Sequence, residues 1–202
     1  MAKIITIAQT KGGVSKSTLA LFIYQYLREL GQNVVIYDGD EQKTITQLNK
    51  RFDKGLQIYE PKQGTKAGFN SRDFDFIIAD TPPYRSKTHK ALFSQSSFVL
   101  VPFKPSLLDA MAGETILSEL QNISGISYAA ILTQVRAGVS FTGQIRDYLE
   151  GMGFPVLNTE MRVRVAYSRG VMLPSLGDEG DEKAVQEIAD ITTEILSHIA
   201  KL

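Results

Sequence analysis

The stretch AQTKGGVSKSTLALF, residues 8–22, decides how the rest of the chain is read. An apolar run, residues 4–8, leads into it. Beyond it Leu19, Phe22, Ile23, Tyr26, Leu27 and Leu30 recur at helical spacing, and Gly31 gives the stop. A strand, a glycine-rich loop and a helix, in that order, leave backbone N–H groups free at a helix N-terminus. Those donors and the helix dipole favour phosphate. Lys16 is placed to reach the β- and γ-phosphates of a nucleotide, and the Ser17 hydroxyl to ligate Mg2+. The general pattern G-x-x-x-x-G-K-[ST] is not met in full. Thr10 holds its first glycine position and Ser15 its second, while Gly12 and Gly13 supply the flexibility. An extra lysine, Lys11, stands near the start of the loop. The plainer alternative for such a stretch is a glycine-rich turn before a helix.

Strands and helices alternate through the rest of the chain. Residues 33–37 form a second strand, ending in YDGDEQ, and 44–52 a helix. FDFIIAD (74–80) and SFVLVPF (97–103) read as buried strands. Then come a helix over 107–120, the strand SYAAILTQV (127–135), a helix over 141–150, a short strand FPVLN (154–158) and a long last helix over 182–200. Apolar strands alternating with helices predict an α/β fold: a doubly wound, mostly parallel sheet with helices on both faces. There is no internal repeat, low-complexity tract or long linker, so residues 1–202 are expected to make one domain, with 60–72 the most loop-like part. Asp38 and Asp40 lie at the end of the second strand and Asp80 ends the third. Carboxyl ends of parallel strands are where such sheets bind ligands. One aspartate there would be read as a turn or helix cap; three beside a phosphate loop suit a metal and a water.

Composition narrows the function classes. The chain is 43% hydrophobic and 22% charged, with zero formal net charge, so no global field draws it to nucleic acid or anionic lipid. It has no cysteine, which removes disulfides, thiolate metal sites and iron–sulfur ligation. No run reaches the roughly 18 apolar residues of a membrane-spanning helix. Charge is uneven, however. Residues 177–202 hold seven carboxylates against two lysines, a net −5, so residues 1–176 carry +5. A polyanion site is therefore expected upstream of the tail.

KGGVSKST resembles the deviant Walker A motif of the ParA/MinD family, KGGxGK[ST]T. YDGDEQ is similar to the family's D-x-D-P-Q segment, with Glu41 in the proline position. DFDFIIADTPP resembles its Walker B strand, VLVPFKPSLLDA its later strand and proline-containing loop, and LNTEMRVRVAYSRGVML the segment before its last helix. The resemblance runs in order over nearly the whole chain and implies a P-loop NTPase of the deviant Walker type that binds ATP and ADP with Mg2+. It implies a nucleotide site of Lys11, Gly12, Gly13, Val14, Ser15, Lys16, Ser17 and Thr18. Lys16 then holds nucleotide in cis, and Lys11 crosses the interface of an ATP-bound homodimer to the partner's nucleotide. Asp40 positions or activates the attacking water, Asp80 holds Mg2+ through water and Asp38 supports the site. The base is expected near Thr133–Arg136 and Asn158–Val163.

The family's membrane-binding branch uses a basic amphipathic C-terminal helix. The last helix here has Ile188, Ile191, Ile195 and Ile199 on one side, but its polar face is acidic, which opposes anionic lipid. It is expected to dock on the core, with no membrane partner. The first strand starts at residue 4, so the N-terminal DNA-reading extension of larger ParA proteins is expected to be absent. The resemblance thus points to a small plasmid-partition ATPase: cytoplasmic, nucleoid-associated, bound to nonspecific DNA as a dimer, slow alone and stimulated by DNA and a separate centromere-binding adaptor. Arg162, Arg164 and Arg169 are the candidate DNA contacts, with Arg85, Lys87 and Lys90 as a second set; a solvated surface is the plain reading of each. Carboxysome-positioning and conjugation-linked relatives share these motifs. Two other classes are a dethiobiotin-synthetase-like ligase, which Lys11 argues against, and a nucleotide-binding scaffold that Ser15 has made unable to hydrolyse.

Overall fold

The computed structural model describes residues 1–59, 73–83, 91–138 and 141–201. Its strands are β1 (Lys3–Ile7), β2 (Val34–Asp38), β3 (Phe76–Asp80), β4 (Phe98–Phe103), β5 (Ser127–Val135) and β6 (Met161–Arg162). They form one sheet in the order β2-β3-β1-β4-β5-β6, every pairing parallel. The helices are α1 (Lys16–Glu29), α2 (Thr44–Phe52), α3 (Leu107–Ala112), α4 (Glu114–Gln121), α5 (Phe141–Gly151), α6 (Val165–Gly170) and α7 (Glu182–Ile199), with a 3-10 turn at Leu176–Glu179.

Strand β4 shows why the sheet is covered on both sides. All six of its residues are buried. Phe98 and Leu100 pack with α1 and α7, while Val99, Val101 and Phe103 pack with α3, α4 and α5. The alternation follows from the two-residue period of a strand. A strand buried on both faces has no polar side to show, hence its continuous apolar run. Winding reverses direction about β1, which has β3 on one side and β4 on the other. The carboxyl end of β1 is therefore the switch point where such sheets form their crevice.

Helix α7 is docked, as its isoleucine stripe predicts. Ile188, Ile191, Ile195 and Ile199 are buried and share one cluster with α1 residues Leu19, Phe22, Ile23 and Leu27. Each such side chain contributes roughly 1.5–3 kcal/mol through removal from water. Asp181 caps the helix, its carboxylate accepting from the Ala184 N–H.

Two expectations are corrected. The helix expected over 107–120 is two helices, broken at Gly113. A Cβ there would lie 2.5 Å from the Phe103 ring, so the backbone passes close against that ring. The expected strand over 154–158 is one parallel bridge, Ala130 to Val156, with flanking bonds from Ala130 N to Pro155 O and from Leu157 N to Ala130 O. Pro155 has no N–H for a longer ladder. Strand β6 and helix α6, absent from the sequence reading, follow it.

Candidate phosphate-loop site

The loop between β1 and α1 takes its shape from two left-handed residues. Gly13 has φ 73° and Ser15, at the N-cap of α1, has φ 69°. The first needs glycine's freedom. The second pays about 1–2 kcal/mol for its Cβ, so the loop must be held from outside. Lys16 is buried, and its Nζ donates to the Lys11 carbonyl at 3.1 Å. Burial lowers its pKa, opposed by Asp80 and Asp40.

The ends of β2 and β3 carry Asp38, Asp40 and Asp80, and Gly39 joins those two ends. Its N–H donates to the Asp80 carbonyl at 2.9 Å, and a Cβ there would lie 2.7 Å from that oxygen. This contact locks the ends of β2 and β3 together. Asp80 Oδ2 accepts from Ser17 Oγ at 2.5 Å. Burial pushes the Asp80 carboxyl up to about 7, the Ser17 bond opposing it. Asp38 is buried, and its Oδ2 accepts from the Thr46 N–H and hydroxyl at 2.9 and 2.8 Å, so it also anchors the start of α2. Asp40 is half-exposed and accepts from the Gln42 N–H at 3.0 Å. Asp80 Oδ1 and Asp38 Oδ1 are buried without a hydrogen-bond partner among the described residues. Unpaired buried carboxylate oxygens are costly unless a cation or water serves them. With the Ser17 hydroxyl they make an all-oxygen donor set, the chemistry Mg2+ prefers. Among the described residues no group of three or more His, Asp or Glu side chains stands close enough to hold a metal directly. The set therefore fits an ion that keeps most of its water.

Lys11 is paired within its own chain. Its ammonium contacts the Asp109 carboxylate in α3; the lysine is 42% exposed and the aspartate 5%. Gly12, Gly13, Ser15, Lys16, Ser17, Thr18 and Asp40 line a cleft of about 460 Å³ that also touches Gln42, Thr44, Pro83 and Gln134. Ser15, Thr18 and Gln134 continue into a second hollow, about 480 Å³, walled by Arg136, Met161, Arg162, Val163 and Tyr167. The segments expected to meet a base lie there.

The three arginines differ. Arg164 is held by Glu187, through Nε at 3.0 Å and through Nη2, and by Asp181 at 3.7 Å. Tyr167 adds its hydroxyl to Glu187 at 2.7 Å, and burial with that bond raises the phenol's pKa. Arg162 is exposed, and Arg169 is 66% exposed with Glu179 at 3.5 Å. Arg164 is thus a structural ion-pair member, and the exposed pair is Arg162 and Arg169. Arg85, Lys87 and Lys90 lie outside the described residues. The acidic tail is partly spent inside as well: Glu194 accepts from the N–H groups of Asn158 and Thr159 and from the Thr159 hydroxyl.

Four residues enter the site in roles that the sequence reading did not give them. Gly39 sits between two aspartates in a strand-end turn, a visible cue. Asp109 lies in a segment read for its proline loop. Lys104 follows β4 and brings its Nζ within 3.6 Å of where a Cβ on Gly13 would stand. Gln134 bonds to the loop from β5, at a kink that no glycine or proline marks.

Known proteins match this arrangement. The profile of the CobQ/CobB/MinD/ParA nucleotide binding domain matches residues 5–195. Maintenance of carboxysome distribution protein A of Halothiobacillus neapolitanus is 28% identical over 95% of this chain and 95% of its own length. Protein ParA of Rhizobium radiobacter is 26% identical over 82% of this chain and 80% of its own. A solved structure from Borrelia burgdorferi B31, described as a plasmid partition protein bound to AMPPNP, superposes with a TM-score of 0.75 at 18% identity, covering 100% of both chains. Among the described residues no helix is long and apolar enough to cross a membrane.

Proposed function

The chain belongs to the CobQ/CobB/MinD/ParA nucleotide binding domain family, and from that premise we propose that it is an ATPase whose ATP-bound homodimer positions a cargo, in the manner of a small plasmid-partition ParA. The observation that carries this is the loop itself: Lys16, Ser17 and Asp40 line one cleft, Asp80 accepts from Ser17 beside it, and a second lysine, Lys11, stands on the same glycine-rich turn, held by Asp109.

Lys16 and the loop N–H groups bind the phosphates. Ser17, with Asp80 and Asp38 through water, would hold Mg2+, which would supply positive charge against the phosphates. Asp40, half-exposed at the cleft, orients the attacking water. Phosphoryl transfer asks mainly for positioning and charge stabilisation, so this short set suffices. Lys11 must leave Asp109 to reach a partner's nucleotide, so the ion pair within the chain opposes the dimer until ATP offers a stronger anion. The face beside it is suited to packing. Leu108, next to Asp109 in α3, is 73% exposed, and Val163 and Val165, after β6, are 57% and 64% exposed.

DNA contact is assigned to Arg162 and Arg169, doubled by dimerisation. A separate adaptor would name the cargo and stimulate hydrolysis. The carboxysome-distribution relative favours a second reading for the cargo alone, a protein compartment in place of a plasmid.

The test is calorimetry with ATP and ADP in Mg2+ buffer, followed by phosphate release with and without DNA. Binding of both nucleotides and slow, DNA-stimulated release are expected. Binding without release, even in a single turnover, would make the chain a scaffold. Release that needs a small-molecule co-substrate would make it a ligase.

A further inference from the structure

Neighbouring strand residues point to opposite faces, yet Thr133 and Gln134 of β5 both reach the phosphate loop. Thr133 Oγ1 donates to the Val14 carbonyl at 3.2 Å. Gln134 Nε2 donates to the Gly13 carbonyl at 2.7 Å and to Ser15 Oγ at 3.1 Å. The backbone makes this possible. Gln134 has φ 55°, and the register of β5 against β6 shifts between Thr133 and Val135. A bulge of this kind re-aims a side chain, and bulges gather beside functional sites. Here a non-glycine residue holds the left-handed conformation, an outlier that persists only where its surroundings over-determine it.

The loop carries the matching outlier. Ser15 stands where the general phosphate-loop pattern has glycine, at φ 69°. Its hydroxyl is bonded to the amide of the other strained residue. Two left-handed side chains, 119 positions apart, thus hold each other. The carbonyl contacts have a further effect. In a trans peptide the N–H points opposite to the C=O. Fixing the Gly13 and Val14 carbonyls toward β5 turns the N–H groups of Val14 and Ser15 the other way.

We propose that Gln134 is the positioning residue of the phosphate loop: its side-chain amide braces Gly13 and Ser15 so that the loop keeps its anion-binding shape with serine in the glycine position. The inference rests on the nucleotide-binding reading above and adds a residue of β5 to it. Gln134 acts through the loop and is not assigned a contact with the reacting atoms.

The experiment is the dissociation constant of ADP and of Mg2+-ATP, by calorimetry, for the full chain and four variants. Gln134→Ala is expected to weaken both nucleotides about tenfold, the scale of losing a pair of hydrogen bonds to a strained loop. Gln134→Lys keeps a donor for the Gly13 carbonyl and should stay within about threefold of the parent. Ser15→Gly removes the strained Cβ, since glycine accepts the φ freely, and gives the background in which the brace has less to hold. In the Ser15→Gly background, Gln134→Ala should cost only about threefold, because the brace then has less to hold. A Gln134→Ala chain that binds like the parent overturns the inference, and so does a cost that is the same in both backgrounds. If Gln134→Ala fails to fold, Gln134→Lys decides: retained affinity supports the brace, and a loss of tenfold or more overturns it. A parent chain that binds neither nucleotide overturns the nucleotide-binding reading itself, whereas a parent that binds while Gln134→Ala binds equally overturns this inference alone.

Discussion

Lys11 and Lys16 share a loop but not an environment. Lys16 is buried and tied to a loop carbonyl; Lys11 is partly exposed and tied to Asp109. Lys16→Ala should therefore abolish nucleotide binding by calorimetry, since a buried cation facing phosphate has no substitute inside the cleft. Lys11→Ala should leave ADP affinity within about threefold of the parent and lose the ATP-dependent dimer, because only the contact across the interface goes. Arg164 invites the opposite kind of test. Its charge serves Glu187, whose side chain is 13% exposed. Arg164→Ala should lower stability by about 2 kcal/mol in urea unfolding, the cost of leaving a mostly buried carboxylate without its cation. Arg162→Ala, at an exposed guanidinium, should change it by less than about 0.5 kcal/mol.

Elements were legible where one period dominates. The apolar runs of β3 and β4, buried on both faces, and the isoleucine stripe of α7 state their own secondary structure. So does the loop into α1, where glycines, a lysine and a hydroxyl follow a strand. What stayed hidden depends on contacts remote in sequence. Gly113 breaks a helical pattern because Phe103 stands against it, and the kink at Gln134 exists because the loop at Gly13 and Ser15 holds it. Neither neighbour is visible from LLDAMAGETIL or ILTQV alone. Arg164 read as a surface cation for the same reason: Glu187 and Asp181 reach it from α7 and its N-cap, across 23 and 17 positions of chain. Helix α7 yields an element-scale prediction. Ile191→Ala, at a fully buried position, should destabilise the fold by about 2–5 kcal/mol in urea unfolding, since the cavity lies between α7 and the helix that follows the phosphate loop.

At the scale of the whole molecule the surfaces divide by charge. Carboxylates of α7 are drawn inward to Asn158, Thr159, Arg164 and Tyr167, while Arg162 and Arg169 stay outward on the segment just before them. Changing Arg162 and Arg169 together to alanine should weaken DNA binding about equally for unrelated sequences and flatten its salt dependence, as loss of phosphate contacts does. A DNA mobility shift across a salt series reads this directly, and unchanged binding would move the patch elsewhere. On the proposed function the DNA-binding output depends on one event, a dimer that forms when ATP draws Lys11 away from Asp109. The measurement that tests it most directly is the solution mass, by light scattering, of the Asp40→Ala chain with Mg2+-ATP, with Mg2+-ADP, and with the added Lys11→Ala change. The Asp40→Ala chain should show twice the chain mass with ATP, the single chain mass with ADP, and the single chain mass with ATP once Lys11 is gone. A chain that stays single with ATP, or that still doubles without Lys11, would contradict it.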